Sequence, residues 1–433
     1  MRYSVISKGL DLSKIRDYVQ RYGGRNIRVA PLVKQIFCDL DTEGYLKLKS
    51  VNGLVVKTIE RVSTDQGVIP AIEPPTPRPP EEVYYTASQL LAECRFYDLR
   101  AMFSPPLIGT GSTVVILDSG IRKTHESLVG KVVYEKNFST SPTLNDVFCH
   151  GTGVAYMTAG GTHGSDAGVA PGASLWNIKV LGDTGECSEE VVVLALEHII
   201  EKRQEALEQG LTSHDPMMPS IINMSLGSLD TGDSDSPMRL ACQECLKHGM
   251  AVIAAAGNNG PAFTTITSPA CDPMVVAVGA LTVSPFTIWE YSSRGPTKEG
   301  LTKPDFCCYG VSVMVAGAGS DNEYLIKSGT SFSTPIIGGL AALAIELPSR
   351  LGEEFMPEPN CIQMVVDSCM KPYGVILEQD FAYGWGMPWG EDLILFFQPP
   401  VTPIEEAISP IMEMVAPILL LGMVGMFVPG MIK

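Results

Sequence analysis

The sequence predicts an α/β fold, in which a doubly wound, mostly parallel sheet with helices on both faces follows a small α+β domain. Between about residues 85 and 398, strand-like runs alternate with helical patterns. The runs are apolar on both faces, as strands covered by helices on both sides must be. The predicted strands are Ser112–Leu117, SLWNIKVL within 169–181, Ser220–Met224, Met250–Ala256 and Met274–Val278, and the predicted helices are Ser188–Gln209 and Ser236–His248.

Composition limits the class of protein. The chain has 433 residues, of which 45% are apolar, which excludes a mostly disordered protein. Lys plus Arg number 31 and Asp plus Glu number 48, a net charge of −17. An acidic chain has no surplus of cations to neutralise phosphates, so we expect no nucleic-acid partner.

The sequence pattern of residues 1–63 predicts the small domain. Tyr3–Ile6 alternates like a strand, and Ser13 is placed to cap a helix. Gln35–Leu40 is a second strand, Asp41 or Thr42 opens a short helix, and Val55–Val62 is a last strand. The order β-α-β-α-β, with room for one more short strand, suits a small sheet with helices on one face, of the ferredoxin-like type.

Residues 64–84 predict a linker, because six prolines fall between Pro70 and Pro80. Such a segment is extended, cannot join a sheet and is open to proteolysis. The main domain then covers residues 85–398.

Residues 399–433 form a hydrophobic tail. Within it, 415–432 are eighteen residues without a charge, interrupted by prolines and glycines. A membrane anchor, an oligomer or groove contact and a disordered tail all remain open. The N-terminus lacks the apolar region of a secretory signal, so we expect an intracellular protein, membrane-associated if the tail is an anchor, with reduced thiols.

The cysteines and isolated histidines predict no cofactor site. Cys242 and Cys245 form the sole C-x-x-C motif, and a structural zinc site needs a second one. We therefore interpret both as buried helix thiols, and we expect His125 and His163 at the surface. No metal ligand is assigned.

Three motifs carry the residue types of nucleophilic hydrolysis. Asp118 follows an apolar strand in VVILDSG, His150 opens the helical pattern HGTGVAYMTAG, and Ser331 leads into a helix in SGTSFSTP. A serine hydroxyl needs an imidazole to take its proton, and a carboxylate to orient that imidazole. A fourth motif, AAAGNNGP, offers the Asn258 amide as a donor to an oxyanion.

With these motifs the chain resembles the subtilisin-like serine proteases over roughly residues 100–350. The matching blocks, in the family's order, are VVILDSGI, HGTGVA, GVAPGASLWNIKVL, NMSLGS, AVIAAAGNNGP, SPACDPMVVAVGAL, YSSRGPT with KPDF, and GTSFSTP. The resemblance implies a serine endopeptidase that forms an acyl-enzyme. It implies Asp118 as the acid of the triad, His150 as the base, Ser331 as the nucleophile and Asn258 as the oxyanion donor.

The resemblance also implies a substrate site and a mode of regulation. The segment Ser225, Leu226 and Gly227 and the segment containing Ala256 and Gly257 would flank a polypeptide substrate. Residues 1–63 resemble the family's pro-region, which implies a self-processed zymogen whose N-terminal domain inhibits in the same molecule, with the linker as the processing region. A catalytically dead, peptide-binding protein of the same fold is the alternative function.

The sequence departs from the family in the motifs themselves. Gly153 stands where a second histidine is usual, and SFSTP differs from the usual small-residue pattern after the serine. The loop from Gly160 to Ala167 is short and lacks the family's asparagine-rich calcium-binding run. Calcium is therefore left open as a cofactor, without an assigned site.

Overall fold

The computed structural model describes residues 1–64, 84–161, 168–212, 214–351, 368–375 and 378–390. All of them belong to one compact unit, Met1–Leu393. The predicted linker, His163, and the hydrophobic tail with residues 415–432 lie outside the described residues, apart from Thr64 and Tyr84 at the edges of the linker.

The helices and strands of the described residues are numbered in chain order. The helices are α1 Leu12–Arg21, α2 Thr42–Lys49, α3 Ala87–Glu93, α4 Phe96–Ala101, α5 Gly151–Ala159, α6 Glu189–Glu208, α7 Pro237–Lys247 and α8 Thr330–Leu351. The strands are β1 Arg2–Ser7, β2 Arg25–Ala30, β3 Gln35–Asp39, β4 Leu54–Thr58, β5 Arg61–Ser63, β6 Thr113–Asp118, β7 Val132–Asn137, β8 Ser174–Lys179, β9 Glu186–Ser188, β10 Ile221–Met224, β11 Ala251–Ala255, β12 Val276–Thr282, β13 Thr287–Ile288, β14 Phe306–Tyr309, β15 Val313–Ala316, β16 Tyr324–Lys327, β17 Cys369–Met370 and β18 Met387–Pro388.

The N-terminal elements form a four-stranded antiparallel sheet in the order β2-β3-β1-β4. Ile15 and Val19 of α1 are fully buried with Val5 and Ile36 of the sheet in one apolar cluster. β2 is a strand that the sequence analysis did not assign. The cap of α1 is Asp11 rather than Ser13, since Asp11 accepts from the Ser13 backbone N–H.

The main sheet has eight strands, in the order β13-β12-β11-β10-β6-β8-β7 with β14 beside β12. Every pairing in it is parallel except β12 with the short β13. Its central strands β6 and β10 are buried along their whole length. The predicted doubly wound, mostly parallel sheet is confirmed.

The predicted strand Val55–Val62 is wrong as one element. The chain leaves the small sheet after Thr58, and β5 pairs antiparallel with β9 of the main domain. The reason is a competing partner: Glu189 donates its backbone N–H to Glu60 O at 2.8 Å, and Val62 is fully buried in the core of the main domain.

The predicted surface position of His125 is also wrong, because its side chain is fully buried. Its Nε2 lies 2.8 Å from Glu323 O and its ring packs edge-on against Tyr324. Cys242 and Cys245 are buried in the core, as expected.

Helix α8 runs through the core. Its segment Thr330–Leu347 is long and apolar enough to cross a membrane by length and composition, and within the described part of the chain it is the one such helix. Since 83% of that segment is buried inside the protein, it has the environment of a core helix.

The far end of α8 is anchored by one buried carboxylate. Glu346 Oε2 accepts hydrogen bonds from three consecutive backbone N–H groups, those of residues 108–110, at 2.6–2.9 Å. Its Oε1 accepts from Arg350 Nε at 2.8 Å. These hydrogen bonds join helix α8, whose first turn contains Ser331, to the segment that precedes strand β6.

We expect Glu346→Ala to lower the free energy of unfolding by about 3 kcal/mol, because it removes the acceptor of three backbone donors and of a guanidinium. Urea unfolding with circular dichroism measures this. Glu208→Ala, at the exposed end of α6, is the control and should change stability by less than about 0.5 kcal/mol. Equal effects of the two substitutions would contradict the anchoring role.

Candidate active site

Asp118 is the last residue of β6, and its side chain is 1% exposed. Its Oδ1 accepts hydrogen bonds from Ser119 N at 2.7 Å and from His150 Nδ1 at 2.8 Å. A buried carboxylate is stable only when donors replace its water. The two donors therefore hold Oδ1 of Asp118 facing the imidazole, while its Oδ2 is buried and has no hydrogen-bond partner among the described residues.

His150 is the residue before α5 and is fully buried. Its ring lies between two aromatic rings, with centroids 6.4 Å from Phe148 and 5.5 Å from Phe332. Its Nε2 is buried and has no hydrogen-bond partner among the described residues. The imidazole is thus held by a hydrogen bond at one of its two nitrogens, Nδ1.

Ser331 lies in the first turn of α8, next to Phe332, whose ring contacts His150. Its Oγ donates to two carbonyl oxygens, Thr64 O and Ser225 O, both at 3.4 Å. The structure therefore joins Asp118 to His150 by a hydrogen bond and places Ser331 in their vicinity, without a hydrogen bond from Ser331 to His150.

Asn258 follows β11 through a turn in which Gly257 has a φ of 107°, a conformation that favours glycine. Its Oδ1 accepts from Thr330 N at 2.9 Å and from Thr330 Oγ1 at 3.0 Å. The carbonyl end of the amide is thereby fixed on the residue before Ser331. The other end of the amide, Nδ2, is a hydrogen-bond donor.

The predicted substrate-binding segments have different surroundings. Gly227 exchanges two backbone hydrogen bonds with Ser63, at 3.0 and 2.8 Å, so this segment receives an extended strand. Ser225 Oγ donates to Ser331 O at 2.8 Å, and Leu226 is buried in the main core. The segment thus supports both the strand and the start of α8.

Ala256 and Gly257 use their backbone groups inside the protein. Ala256 N donates to Val278 O and Ala256 O accepts from Thr267 N, while Gly257 O accepts from Ser293 N. These two residues therefore form a wall of the site rather than an edge that pairs with a peptide.

The strand in the cleft belongs to the chain itself. Residues 61–63 pair with β9 on one side, and Ser63 forms a single antiparallel bridge with Gly227 on the other, so the end of β5 is paired on both sides. Thr64 follows with its side chain 2% exposed and its carbonyl oxygen facing Ser331. The sequence analysis missed β9 and Thr64, because a three-residue strand carries too little periodicity to be recognised.

Two departures from the family pattern are linked in space. A Cβ placed on Gly153 would lie 2.9 Å from a methyl carbon of Val315 and 3.2 Å from the ring of Phe332. Because Gly153 has no side chain, there is room beside it for the bulky ring of Phe332. Neither departure removes a group of the candidate triad.

Comparison with known proteins identifies the family. The sequence profile of the Peptidase_S8 subtilase family matches residues 109–386, which is more than half of the chain. The chain belongs to the subtilase family of serine proteases.

Individual relatives agree with this assignment. Serine protease AprX of Bacillus subtilis (strain 168) is 31% identical over 269 residues, covering 55% of this chain and 58% of that protein. A subtilisin of Bacillus sp. (strain TA39) is 27% identical over 412 residues, 89% of this chain and 90% of that one. The solved structure of sphericase is similar with a TM-score of 0.54 and 28% identity, covering 65% of this chain and 92% of the other.

Metal binding was left open by the sequence. Part of the loop between Gly160 and Ala167 lies outside the described residues. In the ranges that the structure does describe, no group of three or more His, Cys, Asp or Glu side chains is arranged to hold an ion.

We expect Thr330→Val to lower kcat for a peptide substrate about tenfold with little change in KM. The substitution keeps the shape of the side chain but removes the hydroxyl that holds Asn258 Oδ1 and accepts from Gly257 N. The donor to a developing oxyanion then loses its fixed orientation. Thr330→Ser retains the hydroxyl and should stay close to the wild type, and loss of activity in both variants would contradict this role.

Proposed function

We propose that the protein is a serine endopeptidase that cleaves polypeptides through an acyl-enzyme intermediate. The observation that carries this proposal is the buried hydrogen bond from His150 Nδ1 to Asp118 Oδ1, with Nε2 of the same ring left without a partner among the described residues. An imidazole held in one tautomer by a carboxylate is the arrangement that a general base for a serine needs.

In the proposed mechanism, Ser331 Oγ attacks the carbonyl carbon of the substrate while His150 Nε2 takes its proton. Asp118 keeps the ring oriented and stabilises the imidazolium that forms. Asn258 Nδ2 and the backbone N–H of Ser331, at the start of α8, donate to the oxyanion. His150 then gives its proton to the leaving amine, and water releases the acyl group by the same route in reverse.

A fluorophosphonate probe tests this proposal, because it reacts only with a serine that has been activated as a nucleophile. We expect one equivalent of label on the mature wild-type chain and none on Ser331→Ala. Asp118→Asn should slow labelling by several orders of magnitude, since the imidazole then loses its orienting anion.

Absence of labelling on a folded, mature wild-type chain would support the alternative, a peptide-binding protein with an inactive site. One observation favours that alternative: Ser331 Oγ is bonded to carbonyl oxygens and not to His150.

We also propose that residues 1–64 inhibit the site within the same molecule and are removed by self-cleavage. Strand β5 occupies the cleft between β9 and Gly227, and the Thr64 carbonyl oxygen lies 3.4 Å from the candidate nucleophile. This supports a processing cut at Thr64 or immediately after it. Mass spectrometry of the purified chain should find that cut, and should find none in Ser331→Ala.

Polar contacts away from the cleft support this role for the N-terminal residues. Arg2 makes a bidentate ion pair with Glu190 of α6, with both N–O distances at 2.6 Å. Two turns further along the same helix, Glu197 accepts from the backbone N–H groups of Leu32 and Val33 at 2.6 and 2.8 Å. Both carboxylates are largely buried, so their partners replace water on that helix.

We expect Arg2→Ala to increase the rate of fluorophosphonate labelling of the intact, unprocessed chain about tenfold. A charge-assisted bidentate pair in a partly buried site contributes about 1.5–3 kcal/mol, and its loss favours release of the N-terminal residues. The matched control is Arg28→Ala, since Arg28 lies 3.7 Å from the same carboxylate but is 63% exposed. If intact wild type reacts as fast as processed protein, the inhibitory role is wrong.

A further inference from the structure

A second buried carboxylate lies close to the Asp118–His150 pair. Asp146 is 4% exposed, and its two oxygens accept four hydrogen bonds. Oδ1 accepts from Ser119 Oγ at 2.8 Å and from Cys149 N at 2.8 Å. Oδ2 accepts from Thr152 N at 2.9 Å and from Thr152 Oγ1 at 2.8 Å. Four donors and no acceptor around one carboxyl group are the environment of an ionised carboxylate.

These bonds connect the chain on both sides of the pair. Ser119 directly follows Asp118, and its Oγ, besides donating to Asp146, accepts from Gly151 N at 3.0 Å. Cys149 and Gly151 are the two neighbours of His150. Asp146 and Ser119 therefore fix the backbone of the carboxylate and the backbone of the imidazole relative to each other.

A buried lysine lies on the other side of the same two segments. Lys179, the last residue of β8, is fully buried and pairs in register with Asp118 on β6. Its Nζ donates to Ser119 O and to Asn145 O, each at 2.7 Å. The ammonium thus joins the residue after Asp118 to the residue before Asp146.

Buried charged groups of both signs lie around His150. Burial raises the pKa of Asp146 against the effect of its hydrogen bonds, and burial lowers the pKa of Lys179 while Asp146, Asp183 and Asp118 oppose that change. Two carboxylates, Asp118 and Asp146, and one ammonium, Lys179, are thus buried next to the chain around His150.

Other charged groups surround the same two segments. Asp183 is 3.7 Å from Lys179 Nζ and 42% exposed, so water screens it. Lys327 and Glu323 carry opposite charges near the Cys149 thiol, whose pKa is raised by burial. The residue of α8 that faces the ring is Phe332, which has no charge.

We propose that Asp146 and Lys179 are positioning residues of the protease site: they hold the Asp118 and His150 segments together, and their opposite charges set how readily His150 accepts a proton. This deepens the proposed function, on which it rests, because it assigns residues that support the proposed base. The two residues are expected to act in opposite directions on the protonation of the His150 ring, Asp146 favouring the imidazolium and Lys179 disfavouring it.

The test measures the His150 imidazole itself. Its Hδ1 and ring resonances are followed by NMR against pH in the full chain carrying Ser331→Ala, so that neither processing nor turnover is needed. Removing the negative charge in Asp146→Asn disfavours the imidazolium, so the titration midpoint should fall by about 0.5–1 pH unit. Removing the positive charge in Lys179→Met favours it, so the midpoint should rise.

The control is Asp183→Asn, which removes the same charge at an exposed position and should leave the midpoint within about 0.2 pH unit of the parent. If circular dichroism shows that Lys179→Met does not fold, the proposal is tested by comparing the His150 midpoints of Asp146→Asn and Asp183→Asn. An unchanged or raised midpoint in Asp146→Asn, or equal shifts in these two variants, would overturn the proposal.

The processed enzyme gives an independent readout. In Asp146→Asn the acid limb of the pH profile of kcat/KM should move to lower pH, and kcat should fall about tenfold with KM little changed. A structural defect alone would lower activity without moving the limb. The two proposals can fail separately, because the NMR measurement needs no activity. A chain that does not react with fluorophosphonate refutes the proposed function alone. An active enzyme whose His150 midpoint is unchanged in Asp146→Asn refutes only the positioning role of Asp146 and Lys179.

Discussion

The hydrogen bond between Asp118 and His150 is the interaction on which the site depends, because both groups are removed from water. An ionised carboxylate at 1% exposure is strongly destabilising unless donors surround it. The sheet meets this constraint by ending β6 at Asp118, next to the end of β8, while the turn into α5 brings His150 over that edge. The parallel order of the strands thus determines where the chemistry can take place.

The proposed inhibitory role of the N-terminal residues sets a second constraint, since a strand that blocks a cleft must bind firmly and still be able to leave. The structure separates these demands. Within the cleft, β5 uses backbone hydrogen bonds that any extended peptide can form. The contacts particular to this chain, such as Arg2 with Glu190, lie outside the cleft on α6. Under the proposed function, a substrate would use the same cleft without the extra contacts that hold the chain's own segment.

Much of the main fold could be predicted from the sequence, because strands buried on both faces are continuous apolar runs and chemistry-bearing residues directly follow them. What the sequence could not predict depends on partners distant in the chain. The split of Val55–Val62 into two strands is decided by β9, more than a hundred residues further on. His125 looked like a surface residue because nothing local indicates that the carbonyl of Glu323 accepts its ring nitrogen's hydrogen bond.

Asp146 and Lys179 escaped the sequence analysis for the same reason. An aspartate four residues before a histidine reads as a turn residue, and a lysine at the end of a strand reads as a solvent-exposed charge. Only the fold shows that both are buried and that Ser119 lies between them. Their significance comes from the charges facing each other inside the protein, which no local pattern encodes.

The occupied cleft and the absent hydrogen bond between Ser331 and His150 have one physical cause. A serine hydroxyl has a single proton to donate, and here it is shared between the carbonyl oxygens of Thr64 and Ser225. While the strand is in place, Thr64 competes directly with the imidazole for that proton. In the proposed processed enzyme the strand has left, which would remove one acceptor. His150 Nε2, buried and without a partner in the described part of the chain, would then compete with Ser225 alone. With Ser331 as the proposed nucleophile and His150 as its proposed base, the strand in the cleft would therefore also compete with the base for the nucleophile's proton.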